Sequence, residues 1–199
     1  MNEGYIKFQA KWEKAQSLSL ERLENLIFWR DILYQKGLVG VYENGIGYGN
    51  ISQRKNAEGQ FIISGSMTGH LQTLSKEHFT LVTKVNIAKN TVWCEGPIIA
   101  SSETMSHAVI YQECPEVESV MHVHHIKLWE KLLHKVPTTN ASATYGSPEM
   151  AYSIIELLQK TDLRKQKIFV MEGHPEGIFV FGESLKEAAD ILLQQITYL

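Results

Sequence analysis

The feature that most constrains the fold is a set of four β-rich segments in the first half of the chain. Short polar turns join them in two pairs: GNISQRK with QFIISG, and FTLVTKVNIA with TVWCEG. β-Branched and aromatic residues between such turns are typical of hairpin strands. This amount of local strand pairing argues for an antiparallel sheet and against a doubly wound parallel fold.

Segments with helical periodicity surround these strands. One runs from Ser19, a candidate N-cap, to Gly37, a candidate C-cap. Another begins at Ser101 with Glu103 in its first turn and ends at Pro115. The remaining elements are a strand through SVMHVHH, a helix in IKLWEKLLHK, a helix in SPEMAYSIIELLQK with Ser147 as N-cap and Pro148 first, strands KIFVMEG and GIFVFG, and a last helix whose Ser184 and Glu187 fit a capping box. Together they predict an α/β protein of the α+β type, a three-layer sandwich in which helices flank a central, mostly antiparallel β-sheet.

The composition is that of an ordinary globular protein. The 199 residues are 44% hydrophobic and 21% charged, and no repeat or flexible linker divides them. We therefore expect a single domain over 1–199, with residues 1–18 as an N-terminal extension. The net charge of -3 gives no attraction to nucleic acid or acidic membranes. Two cysteines without disulfide spacing, Cys94 and Cys114, and no apolar leader or span predict a cytoplasmic protein.

Three histidines in the stretch MHVHH form the first candidate site. In a strand, His122 and His124 would point to one face, and Val123 and His125 to the other. Same-face positions lie roughly 6.6 Å apart, close enough for two imidazoles to reach one ion. The alternative is a pair of polar side chains at the end of a strand. The remaining histidines outside the C-terminal motif are interpreted as surface or internally hydrogen-bonded residues: His70, His78, His107 and His134.

Six short motifs occur in a fixed order: GYGNIS, ISGS, SSET, HVH, YGSPEMA and EGHPEGIFVFGESLKEA. In that order they resemble the class II aldolase/adducin family, from about Leu20 to the C-terminus. The resemblance implies a β-sheet flanked by helices and, in the enzymes, a divalent ion bound by three histidines. By position it assigns His122, His124 and His174 as metal ligands and Glu103 as the catalytic acid/base. The implied cofactor is Zn²⁺, or another divalent metal such as Mn²⁺ or Co²⁺.

The implied chemistry needs these residue types. Three neutral imidazoles leave a zinc ion one or two open positions, which the carbonyl and adjacent hydroxyl oxygens of a ketose can fill. The reaction would pass through a metal-stabilised enediolate, and a nearby carboxylate, Glu103, would remove or return the proton. Without the resemblance, a glutamate in the first turn of a helix would be interpreted as complementing the helix dipole.

The resemblance also implies a phosphate site made of small residues and backbone amides. The matching positions are Gly49, Asn50, Ser64, Gly65, Ser101 and Ser102. Glycine lets the backbone approach a ligand closely, and a helix N-terminus favours an anion. Taken singly, each position also fits an ordinary turn, strand end or N-cap.

One departure from the family pattern concerns the third ligand. The family has glycine directly after the third histidine, whereas Pro175 and Glu176 follow His174 here. Proline interrupts strands, so the insertion could displace the ligand. We leave open that His125, His107 or Glu176 completes the shell, or that only two ligands exist.

A second departure lies between HVHH and YGSPEMA. In the family, a stretch between these motifs carries a tyrosine that acts across a subunit boundary. That stretch is absent here, and Tyr145 matches a different position. No residue of this chain inherits that role, which puts the aldol step in question but leaves the metal site intact.

The sequence as a whole predicts a divalent-metal-dependent aldolase. Such a lyase would cleave or form a carbon–carbon bond in a small sugar phosphate or polyhydroxy carbonyl compound. One alternative is a sugar-phosphate dehydratase or epimerase at the same metal site, and another is a non-catalytic adducin-like scaffold. The resemblance also implies a homo-oligomer, specifically a tetramer.

Overall fold

The structure, a computed structural model, describes residues 5–197. Within this range there are ten strands: β1 Gln9–Lys14, β2 Gly40–Val41, β3 Gly47–Tyr48, β4 Asn50–Arg54, β5 Phe61–Ser64, β6 Phe79–Asn86, β7 Thr91–Gly96, β8 Ser119–His124, β9 Ile168–Val170 and β10 Gly177–Gly182. The same range holds six α-helices: α1 Glu24–Gln35, α2 Thr104–Glu113, α3 Ile126–Leu132, α4 Pro148–Lys160, α5 Leu163–Gln166 and α6 Leu185–Thr197. None of these helices is both long enough and apolar enough to cross a membrane.

Eight strands form one sheet in the order β1-β7-β6-β5-β4-β8-β10-β9, and β2 pairs with β3 apart from it. The predicted hairpins β4–β5 and β6–β7 are both present. Neighbours in the large sheet are antiparallel with one exception, the parallel pair β1 and β7. The prediction of a mostly antiparallel sheet is therefore confirmed.

Helices cover both faces of this sheet. Successive side chains of β10 alternate between the faces, as the pleat of a strand requires. Phe179 and Phe181 join a buried cluster with α2 and α4. Ile178 and Val180 join the opposite cluster with α1, α3 and α6. The molecule is thus the predicted three-layer sandwich of helices, sheet and helices.

Two helices begin later than the sequence suggests. Ser19 makes no side-chain cap, and a 3₁₀ turn at Leu20–Arg22 precedes the start of α1 at Glu24. Likewise α2 begins at Thr104, so Glu103 is its N-cap residue and does not lie in the first turn. The expected cap of α4 is present, because the Ser147 hydroxyl accepts from the Met150 N–H.

The N-terminal extension takes part in the sheet, which the sequence did not predict. Residues 9–14 form β1, whose side chains are mostly exposed and show no alternation. Besides its pairing with β7, two contacts hold the strand in place: Phe8 is buried in the core, and the Trp12 indole donates to the Gly96 carbonyl at 3.0 Å.

Strands β4, β8 and β10 bring the candidate residues together. In their antiparallel register Asn50 lies opposite His122, and Gly177 lies opposite His124. The end of β8 therefore meets the starts of both neighbouring strands. Glu103, the N-cap residue of α2, lies beside these strand ends.

Candidate active site

Three histidines converge at the end of β8. His122 and His124 lie on one face of the strand, as predicted, and His174 comes from the turn between β9 and β10. Their exposures are 2%, 2% and 7%. The nitrogen atoms that could bind a metal all lie within 4.8 Å of one another, and Nε2 of His124 is 3.2 Å from Nε2 of His174.

The insertion after His174 does not displace it. The Gly177 N–H donates to the His174 carbonyl, so Pro175 and Glu176 occupy a tight turn. β10 begins only after this turn, and the proline interrupts no strand pairing. Of the alternative ligands, His125 faces elsewhere, where its Nδ1 accepts from the Leu128 N–H and caps α3.

The three imidazoles suit a divalent ion. Burial lowers the pKa of His122 and His124 well below its usual value and that of His174 to about 4, so all three are neutral near pH 7. Nε2 of His122 is buried and has no hydrogen-bond partner among the described residues. Two nitrogens on a tetrahedral zinc lie ~3.3 Å apart, close to the spacing of His124 and His174. This cluster could therefore hold a metal ion.

Glu103 is a buried carboxyl beside these histidines, with 2% exposure. Its Oε2 accepts from the Ser106 hydroxyl at 2.8 Å, whereas Oε1 has no partner among the described residues. Burial raises the pKa of Glu103 to about 7, although the Ser106 hydrogen bond and the charge of Lys7 act to lower it. A carboxyl with this pKa can both accept and release a proton near neutrality.

Nine of the ten predicted site residues line one pocket. They are Glu103, His122, His124, His174, Gly49, Asn50, Gly65, Ser101 and Ser102. Ser64 is the exception, since it lies outside the pocket lining and its hydroxyl accepts from the Ile51 N–H at 3.2 Å. That side chain serves the pairing of the strands and does not reach the pocket.

Packing explains both of the predicted glycines. Gly49 has a φ of 77°, and a Cβ there would lie 2.5 Å from Cγ1 of Val39. A Cβ on Gly65 would collide with the side chain of Ile98. Both glycines therefore let neighbouring segments close tightly around the pocket, a reason separate from ligand approach.

Asn50 is held by a buried network that the sequence did not suggest. Its Oδ1 lies 2.6 Å from Nε2 of His107, and Nδ1 of His107 lies 2.6 Å from the Ser52 hydroxyl. The Tyr111 hydroxyl extends the network, since it lies 2.8 Å from the Ser52 hydroxyl. On its other side, the Asn50 amide is 3.5 Å from Nδ1 of His122. His107 is thus internally hydrogen-bonded, as expected, and it also positions a residue of the pocket.

Sequence reasoning missed the aromatic residues around the histidines. The ring of Tyr48 lies 5.4 Å from that of His124, and the ring of Tyr145 lies 4.9 Å from that of His174. Tyr48 precedes Gly49 inside a quoted motif, so its position was a usable signal. Tyr42 also contacts His124, and nothing in its local sequence indicates this.

Comparisons with known proteins identify relatives by sequence and by fold. The sequence model described as "Class II Aldolase and Adducin N-terminal domain" matches residues 31–195. Among solved structures, an L-fuculose 1-phosphate aldolase superposes with a TM-score of 0.66 at 19% identity, covering 92% of this chain and 84% of that one.

Two further solved structures show the same likeness. The L-fuculose-1-phosphate aldolase from Thermus thermophilus has a TM-score of 0.58 at 19% identity, covering 90% of this chain and 96% of that one. A sugar-phosphate aldolase from Thermotoga maritima gives 0.59 at 17% identity with the same coverage, 90% and 96%. At these identities the structural likeness is one of fold.

Proposed function

The chain belongs to the class II aldolase and adducin family, and on that premise we propose that it is a divalent-metal-dependent aldolase. It would cleave or form a carbon–carbon bond in a small sugar phosphate or polyhydroxy carbonyl compound. The observation that carries this proposal is the shared pocket of a buried carboxyl, Glu103, and three converging neutral histidines. The sugar-phosphate aldolases among the structural neighbours supply the substrate class.

In this proposal the metal ligands are His122, His124 and His174. Their nitrogen donors suit Zn²⁺, and Mn²⁺ or Co²⁺ are further candidates. When bound, such an ion would act as a Lewis acid that polarises the substrate carbonyl. Nε2 of His122 has no hydrogen-bond partner within residues 5–197, and this supports the assignment, because a buried polar atom without a partner is costly unless it binds a ligand.

Glu103 is proposed as the group that takes and returns the proton next to the carbonyl. Its pKa of about 7 lets it exchange a proton without a large energetic penalty near neutral pH. The Ser106 hydroxyl occupies Oε2, which leaves Oε1 to carry the proton. The carboxyl is thus oriented by its own helix.

The anionic part of a substrate would lie among Asn50, Gly65, Ser101 and Ser102. The loop 66–69 also lines the pocket. Arg30 of α1 fixes this loop, because its guanidinium donates to the carbonyls of Thr68 and Gly69 at 3.0 and 3.3 Å. It also donates to the carbonyls of Leu71 and Gln72. A rigid loop of this kind would present its polar groups to an anion at little entropic cost.

We also propose a cytoplasmic homo-oligomer, a tetramer by family resemblance. Cys94 and Cys114 are buried free thiols, which suits a reducing compartment. Light scattering on the purified protein would measure the assembly directly.

The proposed function is tested by assaying the metal-loaded protein against a panel of sugar phosphates and identifying the products. An aldehyde and a ketone from one substrate would support the aldolase. Products that keep all their carbons in one molecule would indicate the dehydratase or epimerase, and no conversion of any substrate would favour the scaffold.

The role of Glu103 needs a matched pair of variants. Glu103→Gln should fold and keep its metal but lose turnover by about 10²- to 10⁴-fold, the usual contribution of a general acid–base group. Glu113→Gln, at the other end of the same helix, should behave like the wild type. Undiminished turnover in Glu103→Gln would refute the proposed role.

A further inference from the structure

The inserted residue Glu176 is connected to the ligand His124 through one tyrosine. The Tyr42 hydroxyl donates to Oε2 of Glu176 at 2.8 Å. The same hydroxyl oxygen lies 2.8 Å from Nδ1 of His124. A carboxylate, a phenol and an imidazole therefore form one short chain that ends at the candidate metal centre.

The directions of these hydrogen bonds determine the tautomer of His124. The Tyr42 proton is directed to Glu176, so it is not available for the imidazole. The short contact at Nδ1 then requires that Nδ1–H donate to the Tyr42 oxygen. A neutral imidazole with its proton on Nδ1 has its lone pair on Nε2, the atom that faces His174 at 3.2 Å.

The turn that carries Glu176 is built into the fold. The Glu176 carbonyl accepts from the His125 N–H at 3.1 Å, which ties the turn to the end of β8. Glu176 has a φ of 72°, a left-handed conformation that is uncommon for a residue other than glycine. This backbone geometry places its carboxylate beside Tyr42.

We propose that Glu176 is a positioning residue of the metal centre, acting through Tyr42 to hold His124 with its Nε2 unprotonated and directed at the ion. The inference rests on the proposed function, since it assumes that His124 binds a metal. It gives the two-residue insertion, which departs from the family pattern, a specific purpose. A carboxylate behind a ligand histidine fixes its ring and increases its basicity.

The first test measures zinc affinity by competition with a chelator. Glu176→Ala and Tyr42→Phe should each bind zinc about 10- to 100-fold more weakly than the wild type, the usual effect of removing such a partner. Glu176→Gln should recover most of the affinity, because its amide oxygen can still accept from Tyr42. The control is Glu172→Ala in the same loop, where Glu172 pairs with His134 at the surface.

The second test uses ¹⁵N NMR of the histidine rings in the metal-free protein. His124 should carry its proton on Nδ1 in the wild type. In Glu176→Ala the freed Tyr42 proton can donate to Nδ1, which would move the imidazole proton to Nε2.

The outcomes separate this inference from the proposed function. Wild-type affinity in Glu176→Ala, or an equal loss in Glu172→Ala, would overturn the inference alone. A wild type with His124 protonated on Nε2 would do the same. A wild-type protein that binds none of zinc, manganese and cobalt would overturn the metal centre of the proposed function and this inference together.

Discussion

Nζ of Lys7 lies 3.6 Å from the centroid of the Tyr145 ring. The N-terminal segment, which lies outside the region matched by the family, therefore reaches the candidate pocket. Its charge acts on two groups there, because it lowers the pKa of both Glu103 and His174. Lys7 is thus a determinant of the protonation of the pocket.

Removal of the Lys7 charge should make Glu103 harder to ionise. We expect Lys7→Met to raise the pKa of Glu103 above its value of about 7, since a favourable interaction with the carboxylate is lost. The carboxyl ¹³C resonance of Glu103, followed against pH in the metal-free protein, measures this pKa. Lys11→Met, with the same charge change further along the segment, should leave it unchanged. An unaltered titration in Lys7→Met would contradict the prediction.

The unfolding free energy of the metal-free protein should depend on pH through the titration of Glu103. Its folded pKa of about 7 lies above the ordinary 4.5, so the native state holds a proton that the unfolded chain has released. The stabilising contribution is present below pH 4.5 and is lost as the pH rises through 7. The difference in unfolding free energy between Glu103→Gln and wild type should shift in favour of the variant by up to about 3 kcal/mol as the pH rises from 4 to 8.

Denaturant titrations at several pH values measure this difference. Glu113→Gln serves as the control, and its difference from wild type should not vary in the same way. A pH-independent difference for Glu103→Gln would show that folding does not raise the pKa of Glu103 above its ordinary 4.5.

Zinc should stabilise the fold through His174. At free zinc about 1,000 times the dissociation constant, the unfolding free energy should rise by about 4 kcal/mol. His174→Ala should abolish most of this gain, because one of three ligands is missing. His134→Ala, which removes an exposed histidine, should retain it. Thermal unfolding with and without zinc measures the effect, and a full gain in His174→Ala would exclude His174 as a ligand.

Arg30 should be essential for the rigidity of the loop that lines the pocket. The buried guanidinium donates to carbonyls of the loop 68–72, and lysine cannot reproduce its planar fork. Arg30→Lys should therefore lose about 2 kcal/mol or more of stability. Amide hydrogen exchange should become faster in this loop, whereas the exposed Arg22→Lys should change neither quantity. Unchanged exchange in Arg30→Lys would mean that the loop is fixed by other contacts.

Local patterns were sufficient for most of the architecture. The hairpins and the helix after Ser147 follow from turn residues, alternation and caps, which act within a few positions of the chain. The shared face of His122 and His124 follows from the geometry of a strand. These features depend on neighbours in sequence, so the sequence alone could predict them.

Features that depend on distant residues could not be predicted. Tyr42 and Glu176 are 134 positions apart, and they meet only because the fold brings the inserted turn beside Tyr42. Arg30 and His107 are polar residues of types usually found at the surface, yet tertiary packing buries both. In each case the partners come from other elements, and no local pattern indicates them.

The parallel pairing of β1 has a consequence for the order in which the chain assembles. Short turns join β4 to β5 and β6 to β7, whereas the contact between Trp12 and Gly96 spans 84 positions. Long-range closure is slower than local pairing, and the N-terminus leaves the ribosome first. The segment with Phe8 and Trp12 must therefore wait, with its apolar side chains exposed, until β7 has been synthesised. Of the described strands, β1 is synthesised first but docks late, and Lys7 reaches the pocket only when β1 has docked.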